Sequence, residues 1–349
     1  MNAVGFCRRV INSRGNRRQF LHQLGSRLCC FTAANLVRAF GGESTKQIGG
    51  VFPIGFSPFT DDNRLDLDGL AAQVRFCNRG SVHGFVWPQI ASAWTTLSET
   101  ERIAGAEAIL SAGKGGRTAL VIGVQAPDMA SIARYAKHAE QNGADAIISL
   151  PPSGVNDEKA LLEFYQQVGK LTQLPFFAQS TGAMSVDLLV EMFRTIPAFR
   201  QVKDEAGNPL TRIQEIRSRT GGQLKVFSGF GVVTMMTEME SGFSGHCPFV
   251  SLADVYATAF DLFHKGQRRE AFDMFGRIQA ISSMLPLSTI DVLIARGVLK
   301  EGTKMRTGPP VPGVAPLDNG STRRPTPPPM THDQIRAALK TYLGPYLTA

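Results

Sequence analysis

The chain has 349 residues, of which 43% are hydrophobic and 19% are charged, and its formal net charge is +8. A chain of this size can bury a large core, and one α/β barrel of about 250 residues would account for most of it. Seven arginines and no acidic residue lie within residues 1–42, so nearly all of the net charge belongs to that segment. The near-neutral remainder argues against nucleic acid as a partner, and no apolar run of about 18 residues is present to span a membrane.

Residues 1–42 have the composition of a targeting segment. Within them, Asn16–Leu21 (Asn-Arg-Arg-Gln-Phe-Leu) resembles a twin-arginine export signal and precedes an apolar stretch over residues 24–40. Arg27 and Arg38 interrupt that stretch, and an arginine-rich leader without acids is also typical of a mitochondrial transit peptide. We expect export to the periplasm, with import into the mitochondrial matrix and a tail retained in the cytoplasm as the alternatives.

From Gly49 onward the sequence alternates short apolar runs with longer helix-like stretches. This alternation is typical of parallel strands joined by helical crossovers. Eight runs at this spacing predict an α/β fold, a (β/α)8 TIM barrel over residues 49–250. The predicted strands are 51–56, 84–88, 119–124, 145–150, 175–179, 200–203, 224–228 and 245–250.

Several helices between these strands carry their own start and stop signals. Ser98–Glu101 reads as a capping box before apolar residues 103–110, and glycines over 113–116 end that helix. Asp128 precedes a second helix over 129–141, whose apolar residues recur at helical spacing.

Residues 251–349 are predicted to form a C-terminal helical extension. The proline-rich segment 307–329 within it predicts a surface loop with polyproline geometry in parts. The predicted helices of the extension cover residues 253–265, 268–284, 289–299 and 333–343.

Lys203 ends the sixth predicted strand, on the barrel face where active sites lie. Burial there would disfavour the ammonium form of a lysine and lower its pKa. The neutral amine can attack a carbonyl to form a Schiff base. A surface lysine at a strand end would show the same local sequence. The surrounding barrel pattern favours Lys203 as the candidate catalytic residue.

Six further segments, taken in order, resemble the dihydrodipicolinate synthase/N-acetylneuraminate lyase family over about residues 49–346. They are Ser57–Asp68, Thr96–Glu99, Gly143–Asp145, Leu174–Pro175, Val202–Asp204 and Phe227–Gly229. The resemblance implies a (β/α)8 barrel with a C-terminal helical extension, usually assembled as a tetramer of two dimers. It also implies that Lys203 forms a Schiff base with pyruvate or a related 2-oxo acid.

The sequence departs from the family where the proton relay is expected. Gln179 stands in place of the family's tyrosine, and glutamine cannot act as an acid or base near neutral pH. The tyrosine pair after the fourth strand is replaced by Pro152 and Ser153, and residues 180–184 lack the arginine that often binds the second substrate. We therefore expect an altered second-substrate pocket.

The loop whose threonines hold the substrate carboxylate in the family is Gln-Ile-Ala-Ser-Ala over residues 89–93 here. Only Ser92 keeps a hydroxyl. The backbone amides of Ile90 and Ala91 can still bind a carboxylate, because backbone donors do not depend on the side chain. These three residues are candidate substrate contacts together with Gln179.

Two more positions near the barrel rim, Cys247 and Gly229, are candidates. The family register places Cys247 inward against the ligand and His246 toward the helices, although Cys247 also fits a small unreactive buried residue. Gly229 would let the backbone approach the ligand closely. Asp204 and Glu205 could steady a protonated imine, but we favour them as acceptors of backbone hydrogen bonds in a loop.

The sequence thus favours a Schiff-base-forming lyase or aldolase, working as a homo-oligomer on a small 2-oxo acid. Two alternatives remain: a binding protein that lost turnover with the proton relay, and a dihydrodipicolinate synthase in which another group replaces the tyrosine. No residues have the spacing of a zinc site and no glycine motif indicates a nucleotide site, so we expect neither a metal nor an organic cofactor.

Overall fold

The computed structural model describes residues 46–182, 184–229, 232–287, 289–306 and 329–348. The leader predicted over residues 1–42 and almost all of the proline-rich loop predicted over 307–329 lie outside these ranges.

Within the described residues, eight parallel strands follow one another around a single sheet. They are β1 (Gly50–Val51), β2 (Gly84–Trp87), β3 (Ala119–Gly123), β4 (Ala146–Ser149), β5 (Phe176–Ser180), β6 (Phe199–Asp204), β7 (Lys225–Ser228) and β8 (Gly245–His246).

Hydrogen bonds between the extended segment after β1 and strand β2 close this sheet. β1 pairs with β8, where Gly50 lies opposite Gly245. On its other side, the amide of Gly55 donates to the carbonyl of Val86 at 3.0 Å, and the amide of Val86 donates to Pro53 at 3.0 Å. The result is the predicted (β/α)8 barrel.

Strands β1 and β8 are shorter than the predicted 51–56 and 245–250. Each meets a proline, Pro53 or Pro248, which has no N–H to continue the ladder. The chain nevertheless stays extended, because the amides of Phe52 and Ile54 donate to the carbonyls of His246 and Pro248, both at 2.8 Å.

Helices cross between the strands and extend the barrel at its C-terminal end. They are α1 (Leu67–Arg79), α2 (Glu99–Ala112), α3 (Met129–Gln141), α4 (Glu158–Val168), α5 (Val186–Thr195), α6 (Pro209–Thr220), α7 (Met235–Glu240), α8 (Ala253–His264), α9 (Arg268–Ser282), α10 (Asp291–Ala295) and α11 (His332–Leu343). None of the helices in the described ranges is long and apolar enough to cross a membrane.

The helix signals in the sequence are confirmed with one exception. Ser98 caps α2 through the expected box with Glu101, and the side chain of Asp128 accepts from the amide of Ser131 at the start of α3. The helix predicted over 289–299 is wrong in length. Only α10 forms there, because Gly297 adopts a φ of 68°, which ends a right-handed helix.

Two apolar layers form the core. The larger lies between the strands and the helices, and the smaller fills the barrel interior. Inside the barrel, Phe52 and Phe177 each pack edge-on against Phe227, with ring centroids 5.2 and 5.0 Å apart. Because side chains fill the interior, a ligand can enter only above them, at the C-terminal ends of the strands.

Candidate active site

Lys203 lies at the C-terminal end of β6 and faces the barrel interior. In the parallel register it sits between Gln179 of β5 and Phe227 of β7. The residue is only 5% exposed. Val202 before it packs into the strand–helix layer, as strand alternation requires. The predicted position of Lys203 is therefore confirmed.

A carboxylate lies next to this amine. Glu205 Oε1 is 3.0 Å from Lys203 Nζ, and both side chains are largely buried. The favoured interpretation of Glu205, as an acceptor of backbone hydrogen bonds, is wrong. Strand periodicity places residues two apart on the same side, so Glu205 follows Lys203 toward the interior.

Asp204 has a different environment on the opposite face of β6. It is fully buried, accepts from the hydroxyl of Ser180 at 2.8 Å, and pairs with Arg212 at 3.0 Å. Arg212 also donates to the carbonyl of Met184 at 2.9 Å. The side chain of Asp204 thus links the end of β6 to Ser180 of β5 and to Arg212 of α6. It does not reach the lysine amine.

Gln179 completes a chain of three polar side chains. Its Nε2 donates to Glu205 Oε2. The side chain is fully buried, and its Oε1 has no hydrogen-bond partner among the described residues. A buried acceptor without a donor is costly, so Gln179 offers a hydrogen-bonding position for a ligand.

Gly229 follows β7 directly beside this cluster. A Cβ added there would lie 2.3 Å from Glu205 Oε1 and 2.5 Å from Lys203 Cε. Both distances are far below van der Waals contact. A Cβ would fit here only if the two charged side chains moved, and the close approach to a ligand predicted for Gly229 stays a prediction.

The loop over residues 89–93 forms a short 3-10 turn, Ile90–Ser92, above the barrel interior. Ala91 packs against the interior apolar cluster. The amides of Ile90 and Ala91 belong to the first turn of this helix, where no intrahelical acceptor exists. They are the backbone donors that the sequence suggested for a carboxylate.

The hydroxyl of Ser92 is committed to the protein. It donates to the carbonyl of Gly55 at 2.6 Å and accepts from the amide of Gln89 at 3.0 Å. Its carbonyl accepts from Ser57 Oγ at 2.7 Å. With these bonds Ser92 holds the loop against the segment that follows β1. Its hydroxyl therefore has no free donor for the direct substrate contact that the sequence predicted.

Cys247 and His246 lie on opposite sides of the barrel wall. Cys247 belongs to the interior cluster, whereas His246 faces the helices, with Nε2 3.1 Å from Glu238 Oε2 of α7. Burial raises the pKa of the Cys247 thiol to about 12, with Glu205 adding to the rise and Lys203 opposing it. At neutral pH Cys247 is therefore a protonated thiol, and His246 cannot reach the interior.

A buried lysine and a carboxylate at the C-terminal rim of a (β/α)8 barrel are the arrangement of an enzyme of the lyase and aldolase class. The protein-family model described as the dihydrodipicolinate synthetase family matches residues 47–315, and the chain belongs to this family.

The chain is similar to three proteins that are named for different activities. The 4-hydroxy-tetrahydrodipicolinate synthase of Methanococcoides burtonii is 25% identical over 276 residues, 77% of this chain and 92% of that protein. The L-2-keto-3-deoxyarabonate dehydratase of Azospirillum brasilense is 23% identical over 273 residues, 74% of this chain and 86% of that protein. The structure of a sialic acid aldolase from Ruminococcus gnavus has a TM-score of 0.69 at 17% identity, and the match covers 84% of this chain and 99% of that one.

Proposed function

We propose that this protein is a Schiff-base-forming lyase or aldolase that acts on pyruvate or a related 2-oxo acid. The observation that carries the proposal is the placement of Lys203, a lysine that is 5% exposed at the C-terminal rim of a closed barrel. In such a site a neutral amine can attack the C2 carbonyl of the 2-oxo acid.

The surroundings of Lys203 supply what the bound acid needs. The amides of Ile90 and Ala91 can receive its carboxylate, and the aromatic floor of Phe52, Phe177 and Phe227 keeps water from reaching the imine from below. Gly229 leaves room for the new bond at the lysine nitrogen. The neighbouring carboxylate of Glu205 stabilises the positive charge of a protonated imine.

The second half of the reaction differs from that of an ordinary dihydrodipicolinate synthase in this proposal. Gln179 cannot shuttle protons, but its buried Oε1 can accept a hydrogen bond from a substrate hydroxyl. The similar proteins named above include a synthase, a dehydratase and an aldolase, so the second step varies among proteins of this fold. A hydroxylated 2-oxo acid fits the position of Gln179 better than an unsubstituted one.

Borohydride trapping tests this function. The purified protein is incubated with pyruvate, reduced with borohydride, weighed intact and digested to locate the adduct. We expect one adduct, on Lys203, because hydride reduces the imine to a stable secondary amine. Lys203→Ala should take up none.

Lys225→Ala is the matched control, since Lys225 lies on the neighbouring strand at the opposite end of the barrel and donates to the carbonyl of Ile48 at 2.7 Å. It should be labelled as the wild type is. If neither pyruvate nor a hydroxylated 2-oxo acid labels the wild-type protein, the Schiff-base function is contradicted and a binding role without turnover is favoured.

A further inference from the structure

Any Schiff-base reaction at Lys203 needs a group that carries protons. The amine must lose a proton before it attacks, the carbinolamine hydroxyl must gain one to leave as water, and C3 of the imine must lose one to give the enamine. These protons move within a few ångströms of Lys203 Nζ. The carrier must therefore lie in the barrel interior beside that atom.

Among the described residues, three other polar side chains near the end of the barrel interior are unsuited to this role. Gln179 does not titrate. The hydroxyl of Ser92 already donates to Gly55. The Cys247 thiol holds its proton until about pH 12 because it is buried. Glu205 remains, with Oε1 3.0 Å from Lys203 Nζ.

We propose that Glu205 is the general acid–base residue of this site, an assignment that rests on the Schiff-base function proposed above. Glu205 accepts a proton from the Lys203 ammonium. The amine lone pair then forms the C–N bond to C2 while the C=O π pair moves to oxygen, and that oxygen takes the proton that the nitrogen releases, which gives the carbinolamine. The protonated carboxyl gives its proton to the carbinolamine hydroxyl, the C–O bond breaks, and water leaves with formation of the protonated imine. The carboxylate, ionised again, takes a proton from C3, and the C–H electrons become the C2–C3 double bond as the C=N pair returns to nitrogen.

The geometry around Glu205 suits a carboxylate that must stay in place while it gains and loses a proton. Gln179 Nε2 donates to Oε2 and leaves Oε1 facing the amine. Gly229 has no side chain to push the carboxylate away. Gln179 is thus a positioning residue, and among the described residues the charged or titratable groups that face Glu205 are Lys203 and Cys247.

The test compares wild type, Glu205→Gln and Glu205→Asp in two assays with pyruvate as the probe. Borohydride trapping reports imine formation. Loss of the pyruvate methyl proton signal in deuterated water, followed by NMR across a range of pH, reports removal of the C3 proton. Glu215→Gln, an exposed carboxylate of α6, is the matched control, and thermal melting checks that each variant is folded.

We expect Glu205→Gln to form the adduct slowly and to exchange methyl protons at least about 100-fold more slowly than wild type. The acidic limb of the wild-type exchange profile should vanish in this variant. If Glu205→Gln forms no adduct, Glu205→Asp decides. Return of labelling and exchange supports the proposal, and absence of both at unchanged thermal stability overturns it.

Failure of the two proposals can be told apart. Wild type that is labelled, with Glu205→Gln exchanging at the wild-type rate and pH profile, overturns the assignment of Glu205 alone. Wild type that forms no adduct with pyruvate or with a hydroxylated 2-oxo acid overturns the Schiff-base function, and the assignment with it.

Discussion

At the scale of single residues, the spacing between Lys203 and Glu205 depends on Gly229. A methyl group at this position would lie within 2.5 Å of both side chains, so one of them must move. Misplacing a reacting group by about 1 Å can cost on the order of 100-fold in rate. We predict a loss of this size in pyruvate methyl exchange for Gly229→Ala.

The control for this prediction is Gly182→Ala, in the rim loop that follows β5. Nothing lies within 4 Å of a Cβ at Gly182, so this variant should exchange like the wild type. If Gly229→Ala exchanged at the wild-type rate, the reaction would not depend on the close spacing of Lys203 and Glu205.

At the scale of elements, α7 is held to the rim by a buried acid. Glu238 Oε1 accepts from Ser228 of β7 and from Thr234, both at 2.8 Å, and Oε2 lies 3.1 Å from His246 of β8. Burial alone would raise the pKa of Glu238. The hydrogen bonds and the His246 imidazole outweigh burial and lower that pKa below its usual 4.5. The two strands that Glu238 contacts, β7 and β8, are followed directly by the site positions Gly229 and Cys247.

The lowered pKa fixes the sign of a pH dependence. A carboxylate whose folded pKa is depressed stabilises the fold above its unfolded pKa, and this contribution is lost as pH falls through the folded value. Glu238→Gln should therefore reduce the free energy of unfolding by about 3 kcal/mol near neutral pH. The difference from wild type should shrink below pH 4.5.

Urea unfolding at a series of pH values measures this difference. Glu240→Gln, two residues later on α7, is the matched control, because Glu240 forms an exposed ion pair with Arg268. It should change stability by less than about 1 kcal/mol. A constant gap between wild type and Glu238→Gln down to pH about 3 would show that ionised Glu238 does not stabilise the fold.

At the scale of the whole molecule, the net positive charge is concentrated in the leader, residues 1–42. Seven arginines in residues 1–42 account for nearly all of the net charge, and every residue of the proposed site comes from the part of the chain after Gly49. We propose that the leader directs export through its twin-arginine sequence. This proposal rests on the sequence of the leader alone.

Changing Arg17 and Arg18 together to lysine should block export from a bacterial host, because the signal is read through its arginine pair. Immunoblots of cytoplasmic and periplasmic fractions measure the distribution. Arg8 and Arg9, the other adjacent arginine pair of the leader, provide the control when both are changed to lysine. Equal export of the two double variants would rule out a twin-arginine signal and favour the mitochondrial or retained alternative.

The local pattern of the sequence was enough to predict the barrel and the position of Lys203. Strand and helix periods, the capping box at Ser98 and the position of Lys203 in its strand are properties of neighbouring residues. The errors arose where one residue altered a regular pattern, as Pro53 shortens β1 and Gly297 ends α10 early.

The environment of the lysine was decided by the tertiary structure. Gln179 and Glu205 are 26 positions apart and touch because β5 and β6 pair in parallel. The hydroxyl of Ser92 donates to the carbonyl of Gly55, 37 positions away, and is therefore not free to donate to a ligand. Periodicity can give the face on which a side chain lies, but the partner depends on how distant segments pack. For that reason the sequence by itself determined the barrel and its lysine, and only the folded chain showed Glu205 beside that amine.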